Sequence, residues 1–250
     1  PAQCPRCRAT KMAYYGVGTQ AVADEVSRRF PGARVQRWDR DAITRPAEYA
    51  RLLRSFRSGE ADVLVGTQMI AKGLHFPEVT LVGVVSADVG LNLPDYRAGE
   101  RTFQLLYQVS GRSGRGASEG RVVIQTYQPD NYAIRAAAAQ DYERFYGEEL
   151  ANRREQGNPP FSTLVRLRYS HTNRAECEGN ALRLSERLRL ERDAGAHSDI
   201  EVLGPTPAYP ARVRGHHRWQ VVLRGSSPRA LLEQIALPQG WTIDVDPVGP

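Results

Sequence analysis

Two apolar runs decide the fold of this chain, Asp62-Val63-Leu64-Val65-Gly66 and Thr80-Leu81-Val82-Gly83-Val84-Val85. A third run of the same kind, Arg121-Val122-Val123-Ile124-Gln125, follows further along the chain. Continuous apolar runs of strand length are typical of strands that are buried on both faces of a sheet. We therefore expect these three runs to be buried strands of one domain.

Segments with helical spacing alternate with these strands. Apolar side chains recur four residues apart in residues 20–30, and an expected strand covers residues 35–38. Residues 47–57 and 97–109 again have helical spacing. Alternation of strands and helices predicts a parallel sheet flanked by helices, which is an α/β fold.

A second pattern begins after Gly157-Asn158-Pro159-Pro160, a strong breaker that ends a long polar helix expected over residues 132–156. Beyond the breaker we expect, in order, a strand at 164–169, a helix at 174–192, strands at 200–203 and 219–223, a helix at 228–236 and a strand at 241–245. This β-α-β-β-α-β order is that of a split βαβ, ferredoxin-like domain of the α+β class. We place the domain boundary there, with residues 11–157 before it and residues 158–250 after it.

The composition is that of a globular protein with a basic balance. The chain of 250 residues has 41% hydrophobic and 25% charged residues and a formal net charge of +6, which suits two domains with packed cores. Of its 34 cationic residues only Lys11 and Lys72 are lysines. Two explanations stay open: a polyanionic partner, or genome composition that favours arginine.

Nothing in the sequence indicates a membrane or an oxidising compartment. No apolar run approaches the roughly 18 residues of a membrane span, and the first residues lack the parts of a signal peptide. Three cysteines are too few for a disulfide framework. We expect a soluble cytoplasmic protein without a membrane partner, and the start at Pro1 suggests a piece of a longer protein.

The most informative motif is Gln108-Val109-Ser110-Gly111-Arg112-Ser113-Gly114-Arg115-Gly116. Its glycines let the backbone approach a ligand closely, and the two arginines, three residues apart, can point at one anionic centre. Phosphoryl transfer gathers negative charge on the γ-phosphate oxygens, which a guanidinium group stabilises. The motif therefore favours a phosphate-binding loop, although glycine–arginine turns also occur on ordinary surfaces.

A second motif, residues 65–77, continues from the first apolar run with Gly66-Thr67-Gln68-Met69-Ile70-Ala71-Lys72-Gly73. A buried strand here ends in small and polar residues, which is where open α/β sheets bind ligands. Alone, it could be an ordinary connection between a strand and a helix. Together with the arginine motif, one strand and one helix further on, it resembles motifs V and VI of superfamily 2 helicases.

Longer matches make the resemblance more specific. They are Gly66-Thr67-Gln68-Met69 with Lys72-Gly73, Leu93-Pro94-Asp95-Tyr96-Arg97-Ala98, Glu100-Arg101-Thr102-Phe103-Gln104-Leu105-Leu106, Gly16-Val17-Gly18-Thr19, Gln125-Thr126-Tyr127, Asn158-Pro159-Pro160-Phe161, Leu203-Gly204-Pro205 and Asp244-Val245-Asp246-Pro247. With these matches the chain resembles the PriA family of primosomal replication-restart helicases (primosomal protein N′). The resemblance implies the second RecA-like lobe of a DNA helicase, with its parallel sheet and flanking helices, followed by the family's C-terminal domain.

The resemblance also implies roles for individual residues in the complete protein. Gln108, Gly111, Arg112 and Arg115 would bind ATP with Mg²⁺, with Arg115 as the arginine finger and Arg112 as the second catalytic arginine. Thr67, Gln68, Lys72 and Gly73 would contact the DNA backbone and couple it to the nucleotide. Neither a Gly-Lys-Ser/Thr phosphate loop nor an acidic metal-binding motif is recognised in the chain, so it would form one wall of the ATP site. Ser86 stands where the family has Asp, and Asp88 keeps the second acid.

Cys4-Pro5-Arg6-Cys7 has the spacing of half a tetrahedral zinc site, but it could equally be two buried cysteines. The resemblance implies the last pair of an eight-cysteine module that holds Zn²⁺ in the complete protein. Residues 1–10 would then be the end of a truncated zinc-binding module, with Cys4 and Cys7 as its metal ligands.

Positive charge is concentrated near the C-terminus. Between Val202 and Leu232 there are five arginines and no acidic residue, and residues 212–219 read Arg-Val-Arg-Gly-His-His-Arg-Trp. Cations interleaved with rings suit phosphates and exposed bases, so Arg212, Arg214, Arg218 and Trp219 are candidate DNA-binding residues. The alternative is a solvated hairpin whose Trp219 packs inward.

The resemblance implies branched and single-stranded DNA as partners, together with the acidic tail of single-stranded-DNA-binding protein and other primosome proteins, for a protein expected to be a monomer. Our leading hypothesis is part of an ATP-dependent helicase that binds branched forks and restarts replication. A non-catalytic fork-binding scaffold is the alternative, and the sequence upstream of this chain would discriminate between them. Another superfamily 2 translocase is disfavoured by the long match over residues 93–106.

Overall fold

The computed structural model describes residues 18–39, 46–68, 78–110, 120–195 and 197–249. The residues form two compact units. The first unit runs to Val89 and includes Gln104–Tyr127, and the second contains Gly90–Phe103 together with Gln128–Pro250. The domain boundaries expected from the sequence stay a prediction.

Parallel strand pairs form the sheets of the first unit. β1 (Val35–Trp38) pairs with β2 (Val63–Gly66), and β3 (Leu81–Val84) pairs with β4 (Arg121–Ile124). The helix α1 (Thr19–Arg29) contacts both β1 and β2, and α2 (Pro46–Arg57) contacts β1. Parallel strands joined through helices confirm the predicted α/β, RecA-like class.

Both ends of the β1–β2 pair are held by side chains. Trp38, the last residue of β1, is fully buried and meets Tyr49 of α2 edge to face, with ring centroids 4.7 Å apart. At the other end, the Arg34 guanidinium lies 2.6 Å from the Asp62 carboxylate, which also accepts the backbone N–H of Arg34. These hydrogen bonds hold the pKa of Asp62 below its ordinary value.

The prediction that β3 and β4 are buried on both faces is wrong for the described residues. Leu81 is 60% exposed and Val123 is 50% exposed, whereas Val82 and Ile124 are half-buried. Successive side chains of a strand turn to opposite faces, so the alternation shows that one face of this pair is covered and the other is open. An apolar run alone does not reveal whether a second layer covers its outer face.

Four further helices precede the second sheet in the sequence. They are α3 (Asp88–Leu91), α4 (Ala98–Ser110), α5 (Tyr132–Ala138) and α6 (Tyr142–Glu155). The single helix predicted for residues 132–156 is therefore wrong, because the chain breaks between α5 and α6. Gln140 has a positive φ of 52°, and Asp141 begins the new helix by accepting the N–H of Arg144 at 2.9 Å. Among the described residues no helix is both long and apolar enough to cross a membrane.

A four-stranded antiparallel sheet dominates the second unit. Its strands are β5 (Thr163–His171), β6 (Glu201–Val213), β7 (His216–Gly225) and β8 (Trp241–Val245), in the order β6-β7-β5-β8. The helices α7 (Arg174–Ala194) and α8 (Pro228–Glu233) cover one face, where their leucines meet Val165, Leu167, Val221 and Leu223 of the sheet. This order and connectivity confirm the ferredoxin-like prediction.

β6 is longer than the four residues predicted from the sequence. Pro205, Pro207 and Pro210 interrupt the apolar pattern, but β6 is an edge strand, which tolerates proline because one of its sides makes no ladder bonds. Its register against β7 shifts twice, between Leu203 and Thr206 and between Pro207 and Arg212. The prolines are therefore accommodated at irregularities of an edge.

Gly99 lies in the first turn of α4, in close contact with α5 and α6. A Cβ atom there would overlap the Tyr132 hydroxyl group and lie 3.2 Å from the Glu149 carboxylate. Tyr132 donates a 2.5 Å hydrogen bond to Glu149, so its hydroxyl group is not free to move away. Gly147 in α6 is the opposite case, with nothing within 4 Å of an added Cβ.

We expect Gly99→Ala to lower the free energy of unfolding by about 1–3 kcal/mol through overpacking. Gly147→Ala is the matched control, and it should raise that free energy by roughly 0.5–1 kcal/mol because alanine favours a helix. Urea-unfolding midpoints of the two variants measure both effects. Shifts of the same sign and size would contradict the close packing of Gly99.

Candidate nucleotide and nucleic-acid interfaces

The structure describes half of the residues that the sequence marked as sites. Those outside the described residues are Cys4, Cys7, Lys72, Gly73, Gly111, Arg112 and Arg115. Those inside are Thr67, Gln68, Gln108, Arg212, Arg214, Arg218 and Trp219. Within the described part of the chain, no group of three or more His, Cys, Asp or Glu side chains could hold a metal ion.

Thr67 and Gln68 directly follow β2, and both are exposed at the carboxyl end of this parallel strand. Gln108, the first residue of the arginine motif (residues 108–116), is exposed in the last turn of α4. The carboxyl ends of strands are where ligands bind open α/β sheets. These three positions suit ligand contact, and the roles expected for them stay predictions.

Asp88 ties together the carboxyl ends of β3 and β4. It is buried, and its carboxylate accepts hydrogen bonds from the Thr126 hydroxyl at 2.9 Å and from the Tyr127 backbone N–H at 3.1 Å. Thr126 and Tyr127 belong to the match Gln125-Thr126-Tyr127, so two residues of that match hold the buried Asp88 carboxylate. The buried Ser86 hydroxyl, where the family has Asp, makes no hydrogen bond among the described residues.

A cluster of charged and aromatic side chains surrounds Arg153 of α6 within the second unit. The Arg153 guanidinium lies 2.8 Å from Glu100 and 2.7 Å from Glu149, and it stacks over the Tyr96 ring at 5.1 Å. Arg97 also pairs with Glu100, at 3.0 Å. We call these residues, with Tyr132, the Arg153 cluster. Nothing local in the sequence indicates it, because Glu100 and Arg153 lie 53 residues apart.

The Arg153 cluster stabilises the ionised form of Glu100. Hydrogen bonds from Arg97, reinforced by those from Arg153, lower the pKa of Glu100 to about 2 although burial opposes this. Burial, together with the hydrogen bond to Glu149, raises the pKa of Tyr132. Phe103 adds an apolar contact, stacking on Phe145 with ring centroids 3.9 Å apart. The long sequence match over residues 93–106 thus includes residues that join the start of α4 to α6.

Arg214 and Gly215 form the tip of the hairpin between β6 and β7. Both have positive φ angles, 48° and 85°, as a two-residue hairpin of type I′ requires. Arg212 pairs with His217, and Val213 pairs with His216. Arg212 and Arg214 are exposed there, so the hairpin presents positive charge to solvent.

The hairpin divides its candidate residues between two faces. Paired residues share a face and neighbours along a strand do not, so Arg212, His217 and Trp219 lie on the face covered by α7 and α8. Arg218 lies on the opposite face. Trp219, paired with Tyr169, is half-buried rather than exposed. The structure thus places Arg212 and Trp219 on the same face of the sheet and Arg218 on the opposite face.

Comparison with known proteins identifies both parts of the chain. Residues 13–117 match the helicase conserved C-terminal domain, and residues 154–248 match the primosomal protein N C-terminal domain. Replication restart protein PriA of Bacillus subtilis is 45% identical over 90% of this chain. The chain belongs to the PriA family. The PriA proteins of Synechocystis sp. and Treponema pallidum are 39% and 40% identical, each over 99% of the chain.

The PriA resemblance and the fold expected from the sequence are therefore confirmed. The matches cover 27% of the Bacillus protein, 30% of the Synechocystis protein and 38% of the Treponema protein. The chain thus spans about a third of the length of these PriA relatives. Their name, replication restart protein PriA, states a role in replication restart.

The depressed pKa of Glu100 predicts a defined dependence of stability on pH. Its ordinary value is 4.5 and its folded value is about 2, so its contribution is full above pH 4.5 and is lost as the pH falls towards 2. We expect Glu100→Gln to lower the free energy of unfolding at pH 7 by about 1–3 kcal/mol and to remove most of this dependence. Urea unfolding at several pH values measures both.

Glu155→Gln is the control, since Glu155 is an exposed residue at the end of α6. It should change the free energy of unfolding at pH 7 by less than about 0.5 kcal/mol. A Glu100→Gln variant that keeps the wild-type loss of stability between pH 4.5 and 2 would contradict the assignment to Glu100.

Proposed function

We propose that this chain supplies the second RecA-like lobe and the C-terminal domain of an ATP-dependent DNA helicase that binds branched replication forks and restarts replication by primosome assembly. One observation carries the proposal. Matches to a helicase C-terminal domain and to the primosomal C-terminal domain occur in this order on a parallel α/β unit and a ferredoxin-like sheet. The relatives that share both parts are named replication restart protein PriA.

In this proposal the arginine motif, residues 108–116, forms one wall of an ATP site. The chemistry of its donors fits a polyphosphate, since Gln108 offers an exposed amide and Gly111, Arg112 and Arg115 follow it directly in the sequence. ATP with Mg²⁺ supplies the phosphoryl group that is transferred. Arg115, with Arg112 beside it, neutralises charge that develops on that group.

The remaining parts of an ATP site would come from elsewhere in the protein. The Asp24-Glu25 pair of this chain lies inside α1, where Asp24 accepts from Gln20 and Glu25 accepts from Arg28 and Arg29. These acids are thus bound within their own helix rather than placed at the end of a strand. A phosphate loop and acidic metal ligands on the first lobe would complete the site.

Zinc does not fit the residues of this chain alone. Cys4 and Cys7 supply two of the four ligands that a structural site requires, and the described residues contain no group of three or more His, Cys, Asp or Glu side chains that could hold a metal ion. Zn²⁺ therefore enters the proposal as a component of the complete protein, bound by Cys4 and Cys7 together with further cysteines.

DNA would contact the chain in two places. Thr67, Gln68, Lys72 and Gly73 would meet the backbone at the carboxyl end of β2, next to the nucleotide. The hairpin residues Arg212, Arg214, Arg218 and Trp219 would bind single-stranded or forked DNA, or the acidic tail of single-stranded-DNA-binding protein. Exposed arginines at the hairpin tip support the second contact, because both ligands are anionic.

The proposed setting is a cytoplasmic monomer that works with other primosome proteins and without a membrane partner. The second candidate is a fork-binding scaffold that keeps this lobe for its shape. A phosphate loop and an acidic metal-binding motif upstream of this chain would favour the motor, and their absence there would leave the scaffold. The ATPase activity of the complete protein separates the two.

We expect the isolated chain to hydrolyse no ATP, since it offers arginines but no recognised phosphate loop or magnesium ligands. In the complete protein, Arg115→Ala should lower DNA-stimulated turnover by about 10³-fold or more, the scale of an arginine finger. A phosphate-release assay with and without DNA measures both.

DNA binding by the Arg115→Ala protein should largely survive, which serves as the control for folding. Turnover by the purified isolated chain would reject the division of the ATP site between two lobes. A complete wild-type protein without ATPase activity would favour the scaffold.

We expect replacement of Arg212, Arg214 and Arg218 by Ala to weaken binding to forked or single-stranded DNA. It should also reduce the slope of log K against log salt by about 0.7 for each phosphate that the hairpin no longer neutralises, up to about three phosphates. Because Arg218 lies on the other face, the Arg212/Arg214 pair and Arg218 are also replaced separately. Fluorescence anisotropy at several salt concentrations gives the slopes.

The matched control replaces three exposed arginines of α7, Arg174, Arg183 and Arg187, by Ala. It removes the same charge from another surface and should change the slope less. An unchanged slope in a folded hairpin variant would reject the nucleic-acid role. Retained DNA binding with loss of an acidic-tail peptide would assign the hairpin to protein recognition.

A further inference from the structure

A row of polar side chains crosses the open face of the four-stranded sheet. In β5, Val165 and Leu167 lie on the face covered by α7 and α8, so Arg166 and Arg168 lie on the other, open face. Arg168 pairs with Gln220 of β7 and with Thr242 of β8, and Gln220 pairs with Thr206 of β6. Arg168 is therefore the centre of a row that spans all four strands.

Four guanidinium groups share this open face, and one of them, Arg224, is held by the Glu201 carboxylate at 2.6 Å. Arg166 precedes Arg168 by two positions, about 6.6 Å along the strand. Arg218 is a diagonal neighbour, because it pairs with Ser170 on β5, at a typical separation of about 7–8 Å. We call Arg166, Arg168 and Arg218 the open-face cluster.

The members of the cluster differ in their partners. Arg166 is buried, pairs with the Asp244 carboxylate at 2.7 Å and also donates to the Gly249 carbonyl oxygen. Arg218 donates to the Pro210 carbonyl oxygen at 3.3 Å. The Arg168 side chain makes no hydrogen bond or ion pair with any described residue, and its Nε atom is buried. Asp244 is the acidic group that faces Arg168, and its ion pair is with Arg166.

The surroundings of Arg168 disfavour the positive charge of its side chain. Burial lowers the pKa of its guanidinium group, and the charges of Arg166 and Arg218 lower it further. Arginine stays protonated at neutral pH even so. A partly desolvated cation that has no partner among the described residues, and that lies beside two like charges, costs stability. Binding of an anion to the open face would offset that cost.

We propose that Arg168 and Arg218, the half-buried members of the open-face cluster, bind phosphate groups in the backbone of single-stranded nucleic acid. The proposal rests on the proposed DNA-binding function and adds a second surface, distinct from the exposed hairpin tip. Cations spaced along and across a sheet suit the repeated charges of a phosphodiester chain. Gln220, Thr206 and Thr242 surround Arg168 with neutral hydrogen-bonding groups rather than the apolar pocket that anchors a peptide side chain.

The test measures binding of a fluorescein-labelled oligothymidylate to the full chain by anisotropy across a range of salt concentrations. Arg168→Gln should lower the affinity by about tenfold and reduce the slope of log K against log salt by about 0.7. Its melting temperature should not fall, because the substitution relieves repulsion. Arg174→Gln on α7 is the matched control and should change neither affinity nor slope.

Asp244→Asn should have the opposite effect, a gain of affinity for oligothymidylate, which misfolding would not produce. The substitution removes the negative charge that faces Arg168, so the affinity for phosphate should rise by about two- to threefold. If Arg168→Gln does not fold, this variant decides, and the absence of a gain rejects the site.

The remaining outcomes separate the site from the proposed function. Unchanged affinity and slope in folded Arg168→Gln would overturn the site, as would a loss equal to that of Arg174→Gln. Weakened binding of a labelled oligoglutamate peptide with unchanged oligothymidylate binding would also overturn it and would make the face a protein-docking surface. A wild-type chain without affinity for oligothymidylate would reject the nucleic-acid function itself.

Discussion

The pleat of strand β5 is the constraint on which the second unit depends. This strand lies between β7 and β8, and its fully buried residues Val165 and Leu167 supply the middle of the apolar core under α7 and α8. Because side chains alternate, the same backbone places Arg166 and Arg168 on the opposite face. The register that buries the core therefore also assembles the charges, and a slip by one residue would exchange them.

The Arg153 cluster shows how one ionic network joins segments that are distant in sequence. Arg153 contacts Glu100 and Glu149, and the Phe103–Phe145 stack adds an apolar contact to the same pair of helices. Several of these residues lie in the long match that distinguishes the chain from other helicases. Part of that specific sequence therefore maintains packing between helices.

The candidate DNA-binding surface is also rearranged by the structure. Residues 212–219 alternate cations and rings, which in the sequence reads as one surface. In the hairpin, Arg212 and Trp219 lie on the helix-covered face and Arg218 lies on the open face, where it neighbours Arg168. Charge that is local in the sequence is thus divided between two surfaces, and Arg218 joins a cluster whose other members come from β5.

The sequence by itself determined the class of both folds, the order of strands and helices along the chain, and the family, because periodicity and contiguous motifs are local properties. Local patterns misjudged the outer face of β3 and β4, the break at Gln140 before α6 and the length of the proline-containing β6. Only the tertiary structure decided that Arg153 meets Glu100 and that the Arg168 side chain stands without a partner among the described residues, between Arg166 and Arg218. The physical reason is that these relations depend on strand register and on contacts between residues far apart in the chain, which no local pattern specifies.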